Sequence, residues 1–273
     1  MLSRELELSV ELAVASGELA MDVYRREFTV DEKKNRDPVT EADRRVNAFL
    51  CERIAAAFPD DLVVGEESGH TGSVDADRAW FIDPVDGTSD FIKKNGEWSI
   101  MIGLAIEGRA VMGVVFMPAT GDLYYGGSGS GAWHKMGSSK RRLRVSDSAD
   151  ATAATVVRSR SHPDPRIDAI MKALGTTSDY RHGSVGCKLA QISEQRADLY
   201  FNFSGKTHMW DTCGPEGIIA EAGGHIVDVD GKPLSYTGDT TRVVVPYAAT
   251  TARLSSRVLE VMQSMRDDIA PEA

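Results

Sequence analysis

Cysteine is scarce in this chain. Cys51, Cys187 and Cys213 are odd in number, far apart and without a CxxC pair, which excludes a disulfide framework and a zinc knuckle. Long apolar runs are missing as well, since no stretch approaches the about 18 residues that a membrane helix requires. The opening segment carries Glu5, Glu7, Glu11 and Glu18, where a secretory leader would be uncharged. The expected location is therefore cytoplasmic, with no membrane partner. Basic residues are in deficit, 31 against 41 acidic, giving a net charge of -10 and a pI near 5.1. A nucleic-acid polymer demands a basic surface to neutralise its phosphates, so that partner is excluded too. Repeats and low-complexity tracts are absent.

What is present is an ordinary globular composition, 42% hydrophobic and 26% charged over 273 residues. At roughly 150 residues per domain the length suggests two, read here as 1–150 and 151–273. Leu6, Val10, Ala13, Gly17, Ala20 and Tyr24 recur on one helical face. A second helix is expected from Thr40, where Thr40-Glu41-Ala42-Asp43 resembles a capping box, until Pro59 stops it. Two short strands follow at 62–64 and 79–82, each ending in carboxylates. Residues 98–125 read as an antiparallel meander, because their connections are too short for parallel crossovers. The Gly-, Ser- and charge-rich stretch 126–150 reads as a joint. Beyond it short strands alternate with helices, ending in a helix from about Thr251.

The sharpest local feature is Asp83-Pro84-Val85-Asp86-Gly87-Thr88-Ser89. A strand delivers Asp83 at its end, and Pro84 is expected to stop the ladder there. If a helix begins next, the amides of Gly87, Thr88 and Ser89 are free to hold an anion, while the two carboxylates suit a hard cation such as Mg²⁺. A cation beside a phosphate is the arrangement of metal-assisted phosphoryl transfer. The aspartyl-phosphate motif DxDGT is excluded, because Pro84 occupies the position of its nucleophile. Glu66-Glu67 repeats the pattern of carboxylates after a strand, and Asp211 follows Trp210 at an expected helix start. Taken singly, these features read as a turn, surface charge and a helix cap.

In combination they carry a resemblance. Gly65-Glu66-Glu67-Ser68, the run from Asp83 to Thr88, and Trp210-Asp211 ahead of Glu221-Ala222-Gly223-Gly224 resemble, in that order, the inositol monophosphatase superfamily. Within it the chain is most similar to the 3′(2′),5′-bisphosphate nucleotidases, through Ser159-Arg160-Ser161-His162, the stretch 183–188 and the stretch 210–216. The resemblance implies an α+β fold, a layered α-β-α-β-α sandwich. It implies that Glu66, Asp83, Asp86 and Asp211 bind two or three Mg²⁺ ions through their carboxylates, and Val85 through its carbonyl. It further implies that Asp43 and Thr88 pair to orient and deprotonate the attacking water.

Substrate contacts are expected from Glu66, Val85, Asp86, Gly87, Thr88, Ser89 and Asp211 around the reacting phosphate. Ser159, His162, Ser184 and Lys188 are expected around the rest of a nucleotide. The Lys33-Lys34 region is expected to approach the site. Inositol monophosphatases carry an acidic residue about seven positions before Trp-Asp, where this chain has Ser204, which weakens an inositol reading. The activity implied is hydrolysis of the 3′-phosphate of 3′-phosphoadenosine 5′-phosphate, inhibited by lithium, by a monomer or homodimer. The alternatives are an inositol or other sugar-phosphate phosphatase and a non-catalytic sensor of phosphorylated nucleotides. The basic run Lys140-Arg141-Arg142-Arg144 reads as an exposed loop or strand edge.

Overall fold

A computed structural model describes residues 2–33, 37–74, 76–238 and 240–271. Helix α1 (Ser3–Tyr24) turns Leu6, Ala13, Ala20 and Val23 inward, as their spacing demands. A short hairpin, β1 (Val30–Glu32) and β2 (Pro38–Thr40), leads into α2 (Glu41–Ala57). Next come β3 (Leu62–Gly65), β4 (Gly69–Thr71), β5 (Arg78–Asp86) and the short α3 (Thr88–Ile92). The meander follows as β6 (Ser99–Ile106), β7 (Arg109–Met117) and β8 (Asp122–Gly127), extended by β9 (Gly131–Met136) and β10 (Ser139–Arg142). Together they form an eight-stranded sheet ordered β10-β9-β8-β7-β6-β5-β3-β4. Its one parallel pair is β3 with β5.

The rest of the chain gives β11 (Thr155–Ser159), α4 (Arg166–Leu174), β12 (Ser178–His182), α5 (Val185–Ser193) and β13 (Leu199–Asn202). It continues through β14 (Thr207–His208), α6 (Met209–Glu221), β15 (Gly224–Asp228), β16 (Arg242–Val243), β17 (Tyr247–Thr251) and α7 (Ser255–Ser264). A mixed sheet runs β12-β11-β13-β17-β15. Helices α1 and α2 cover one face of the large sheet, α5 and α6 fill the space between the sheets, and α4 and α7 cover the outer face of the small one. This is the α-β-α-β-α sandwich expected. Strands β5 and β6 are buried almost end to end because both faces of their sheet are covered.

Three local readings differ from the structure. Pro84 does not end its strand: β5 breaks register between Asp83 and Asp86, then Asp86 pairs with Ser99. The irregularity absorbs the missing amide of proline and lets the ladder resume. The stretch 126–150 contains β9 and β10, two further strands of the large sheet. Residues 247–251 form β17, and the last helix starts only at Ser255.

Helix α6 rests directly on the backbone of β6 and β7. A Cβ at Gly113 would lie 1.7 Å from the Gly214 carbonyl oxygen, and one at Gly103 would lie 2.4 Å from the Gly214 nitrogen. One at Gly217 would lie 2.5 Å from the Met112 carbonyl carbon. Only glycine permits so close an approach of helix and sheet.

Candidate active site

Five elements meet at the site: the first turn of α2, the end of β5 with the start of α3, and the first turns of α5 and α6. Thr40 caps α2, its hydroxyl accepting from the Ala42 amide at 3.1 Å, while Asp43 Oδ2 accepts from the Thr40 amide at 2.8 Å and hydroxyl at 2.6 Å. The other oxygen, Oδ1, lies 3.1 Å from the Thr88 hydroxyl, which also reaches the Val85 carbonyl at 3.1 Å. Asp43 is therefore both a helix cap and the partner of Thr88. Burial pushes its carboxyl above the ordinary value, opposed by the Thr40 and Thr88 hydrogen bonds.

The broken register of β5 brings Asp83 and Asp86 round to the same place, where Asp211 joins them from the first turn of α6. One oxygen from each of the three lies within 4.8 Å of the others. Asp211 Oδ2 accepts from the His208 amide at 2.5 Å, and Asp83 Oδ1 from the Val85 amide at 3.0 Å. Burial, then mutual repulsion, drives Asp83 well above the usual carboxylate range and Asp211 to about 8. Glu66 belongs to the same field and rises to about 7 through burial, despite the Lys33 ammonium 2.7 Å away. Burial works against the charge on Lys33, yet Glu66 and Glu67 hold it above its ordinary value. Lys33 thus approaches the site as expected, whereas Lys34 lies outside the described residues.

Gly87 takes the left-handed conformation, φ 91°, that turns the chain from β5 into α3. Gly87, Thr88 and Ser89 stand at the helix start, where amides lack intrahelical partners. Opposite them Ser184 caps α5 from a strained backbone, φ 53° and ψ 134°. Its hydroxyl donates to Asp86 and accepts from the Cys187 amide at 3.0 Å, and the Gly186 amide donates to Asp86 at 2.8 Å. Lys188, one turn on, is buried, with its ammonium 2.6 Å from the Ser184 carbonyl and 5.4 Å from the centre of the Tyr200 ring. Burial lowers its pKa and Asp86 pulls the other way. Among the described residues Lys188 is the one buried lysine or arginine. Ser184 and Lys188 therefore support Asp86 from beneath, and Lys188 does not stand on an open wall.

Ser159 and His162 lie at and just after the end of β11, where the Ser159 hydroxyl accepts from the His162 amide at 3.2 Å. Sequence reasoning passed over Glu97, which ties this region together. It takes two bonds from Arg160, the one to Nε at 2.6 Å, and one from the Gly183 amide at 2.7 Å. No motif marks Glu97, because its partners lie 63 and 86 residues away. The same holds for Gly186, whose contact with Asp86 spans 100 residues.

The donor set fits hard divalent cations. It is all oxygen, buried at Asp83 and Asp86 and half-buried at Asp211, and its four carboxylates outnumber the Lys33 and Lys188 ammonium groups beside them, a repulsion that bound cations would relieve. Comparison with known proteins gives this geometry its context. The sequence profile of the inositol monophosphatase family matches residues 1–264. The 3′(2′),5′-bisphosphate nucleotidase CysQ of Salmonella typhimurium is 35% identical over 236 residues, covering 85% of this chain and 94% of that protein. A histidinol-phosphatase of Chlorobaculum parvum is 34% identical over 247 residues, 86% of this chain and 90% of that one. The solved inositol monophosphatase of Anabaena superposes with a TM-score of 0.78 at 27% identity, covering 96% of each chain. With its profile matched over nearly the whole length, its layered fold shared and its acidic cluster in place, the chain belongs to the inositol monophosphatase family, whose members are metal-dependent phosphomonoesterases.

Proposed function

We propose that this protein is a Mg²⁺-dependent phosphatase that releases the 3′-phosphate of 3′-phosphoadenosine 5′-phosphate, leaving AMP. The chemistry rests on one observation, the Asp83–Asp86–Asp211 cluster beside the Asp43–Thr88 pair. The nucleotide preference rests on the likeness to CysQ and on Ser204, where an inositol phosphatase would place an acid. In this reading Glu66, Asp83, Asp86, Asp211 and the Val85 carbonyl hold the cations. Bound there, Mg²⁺ supplies positive charge against the negative charge of the phosphoryl group and makes water more acidic.

The protein's own part is positional. Thr88 Oγ1 has one hydrogen and two acceptors in reach, Asp43 Oδ1 and the Val85 carbonyl. Directing that hydrogen at Asp43 leaves an oxygen lone pair facing the attacking water, whose proton passes to Thr88 as the hydroxyl gives its own to Asp43. Burial makes Asp43 a stronger base than an exposed carboxylate, and the Thr40 bonds fix its other oxygen. The water oxygen bonds to phosphorus, the bond from phosphorus to the 3′-oxygen breaks, and the departing alkoxide takes a proton from solvent. The amides of Gly87, Thr88 and Ser89 stabilise the phosphoryl oxygens from the helix start. A non-catalytic sensor would have no use for the Asp43–Thr88 pair.

Phosphate release should be measured with Mg²⁺ on 3′-phosphoadenosine 5′-phosphate, inositol 1-phosphate, fructose 1,6-bisphosphate and histidinol phosphate. The highest kcat/KM is expected on the bisphosphate nucleotide. A higher value on any of the others would replace the substrate, and no release from any would favour the sensor.

A further inference from the structure

The basic run of the sequence has a structural role that the phosphatase reading leaves unused. Its residues Lys140, Arg141 and Arg142 lie on β10, the edge strand farthest from β4 in the large sheet. Arg141 is spent on Glu194, and Lys140 lies 4.4 Å over the Trp133 ring. Arg142 and Arg144 instead line a cleft of about 440 Å³, where the end of β10, the last turn of α6 and the β17–α7 turn meet. Arg253 enters the cleft from that turn. The Val145 amide, donating to the Ala222 carbonyl at 2.9 Å, fixes the β10 side of the cleft to α6.

Charge sets this cleft apart. Among the described residues, Arg142, Arg144 and Arg253 make no ion pair, whereas the nearby Arg257 and Arg266 pair with Glu260 and Asp230. Two carboxylates also line it. Glu221 accepts from the Gly129 amide at 3.2 Å and the Gly131 amide at 2.8 Å and keeps its charge, so with Asp147 two carboxylates face three guanidinium groups. The Ser146 hydroxyl, also on the wall, accepts from the Ser148 amide and keeps its hydrogen to donate. The cleft thus carries one positive charge in excess, on arginines without ion-pair partners, in a chain of net charge -10, and that local field attracts an anion.

We propose that the cleft is a second, non-catalytic binding site for a small phosphorylated anion. The planar fork of arginine matches phosphate oxygens two at a time, and the cleft volume falls within the range of small-ligand sites. The overall negative charge disfavours a polymer of phosphates. The site is separate from the carboxylate cluster. Asp211 stands in the first turn of α6 and Glu221 at its last residue, about 15 Å apart along the axis. One helix therefore joins the two.

The test is calorimetric titration of inorganic pyrophosphate into the full chain in the presence of EDTA, which removes the cations that active-site anion binding requires. Wild type and Asp83→Asn should bind one equivalent with the same Kd. Arg144→Ala/Arg253→Ala should bind at least about tenfold more weakly, each lost charge-assisted contact being worth that much or more. Both side chains are exposed, so the melting temperature of the double variant should match wild type. Arg144→Lys/Arg253→Lys, which keeps charge but not the fork, should fall between. Absence of saturable binding by wild type at millimolar pyrophosphate would overturn the proposal. So would undiminished binding by the arginine-to-alanine variant, or binding lost in Asp83→Asn.

Discussion

Asp83 and Asp86 stand three residues apart on β5, both buried, yet the two parts of the chain treat them differently. Asp86 receives the Ser184 hydroxyl, the Gly186 amide and the field of Lys188, all from α5 beyond residue 180. Asp83 receives the amide of its own neighbour Val85, and then faces Glu66, Asp86 and Asp211. The protein itself offsets part of the burial that still holds the Asp86 carboxyl above its ordinary value. The charge on Asp83 depends on what binds from outside. The N-terminal part thus contributes an electrostatic debt, and α5 covers only some of the share that falls on Asp86.

The strongest way to break this contrast is Asp83→Asn. Phosphate release at saturating Mg²⁺ should fall by about 10⁴-fold or more, roughly 5.5 kcal/mol of barrier. In EDTA at pH 8 the same variant should melt above wild type, because a neutral amide replaces an unsupported buried acid. Activity within tenfold of wild type would remove Asp83 from the cation site. Thr88→Ala tests the chemistry apart from the charges. It should lower kcat by about 10² to 10⁴ while KM moves far less, since the hydroxyl acts as the water is deprotonated. A hundredfold rise in KM at constant kcat would make Thr88 a binding residue.

Lys188→Met sharpens the contrast from the other side. Removing the ammonium beneath Asp86 should weaken the Mg²⁺ dependence of activity by about 10- to 100-fold, the range of supporting contacts around metal ligands. The loss should be equal for the bisphosphate nucleotide and inositol 1-phosphate, because Lys188 is buried. A loss confined to the nucleotide would return Lys188 to the substrate pocket.

The smallest effect is a pH trend. Glu66 at about 7 and Asp211 at about 8 bind protons in the folded, cation-free chain at pH values where the unfolded chain has already lost them. Stability without cations should therefore be full near pH 4 and decline as pH rises through 7 and 8. Cations replace those protons, so the gain in melting temperature from Mg²⁺ should be larger at pH 8 than at pH 6. An equal gain at both would show that the carboxylates are ionised throughout.

What the sequence disclosed follows the range of the interactions. Helices α1 and α2 were legible because their stripes and the Thr40–Asp43 cap are local patterns. Asp83, Asp86 and Gly87 stood out because strand, turn and helix start occupy consecutive residues. The passage of β5 through Pro84 was hidden, since it depends on pairing with Ser99 across a register break. Strand β17 was missed because Tyr-Ala-Ala-Thr-Thr has no alternation when every residue is buried. Strands β9 and β10 are hidden in a stretch whose Gly and charge suit an edge as well as a loop. The burial of Lys188 under Asp86 could not be read from a lysine in a helix.

The seam between α6 and the β6–β7 hairpin constrains how this chain can exchange parts with its relatives. Gly103 and Gly113 on the hairpin and Gly214 and Gly217 on the helix form a contact that is complete only when all four are present. A chimera that took residues 151–273 from a relative with a bulkier residue at 214 or 217 would lift the helix off the sheet and carry Asp211 away from Asp83 and Asp86. The hairpin and the helix are thus a single heritable unit divided between two distant stretches of sequence, and recombination would succeed where both travel together.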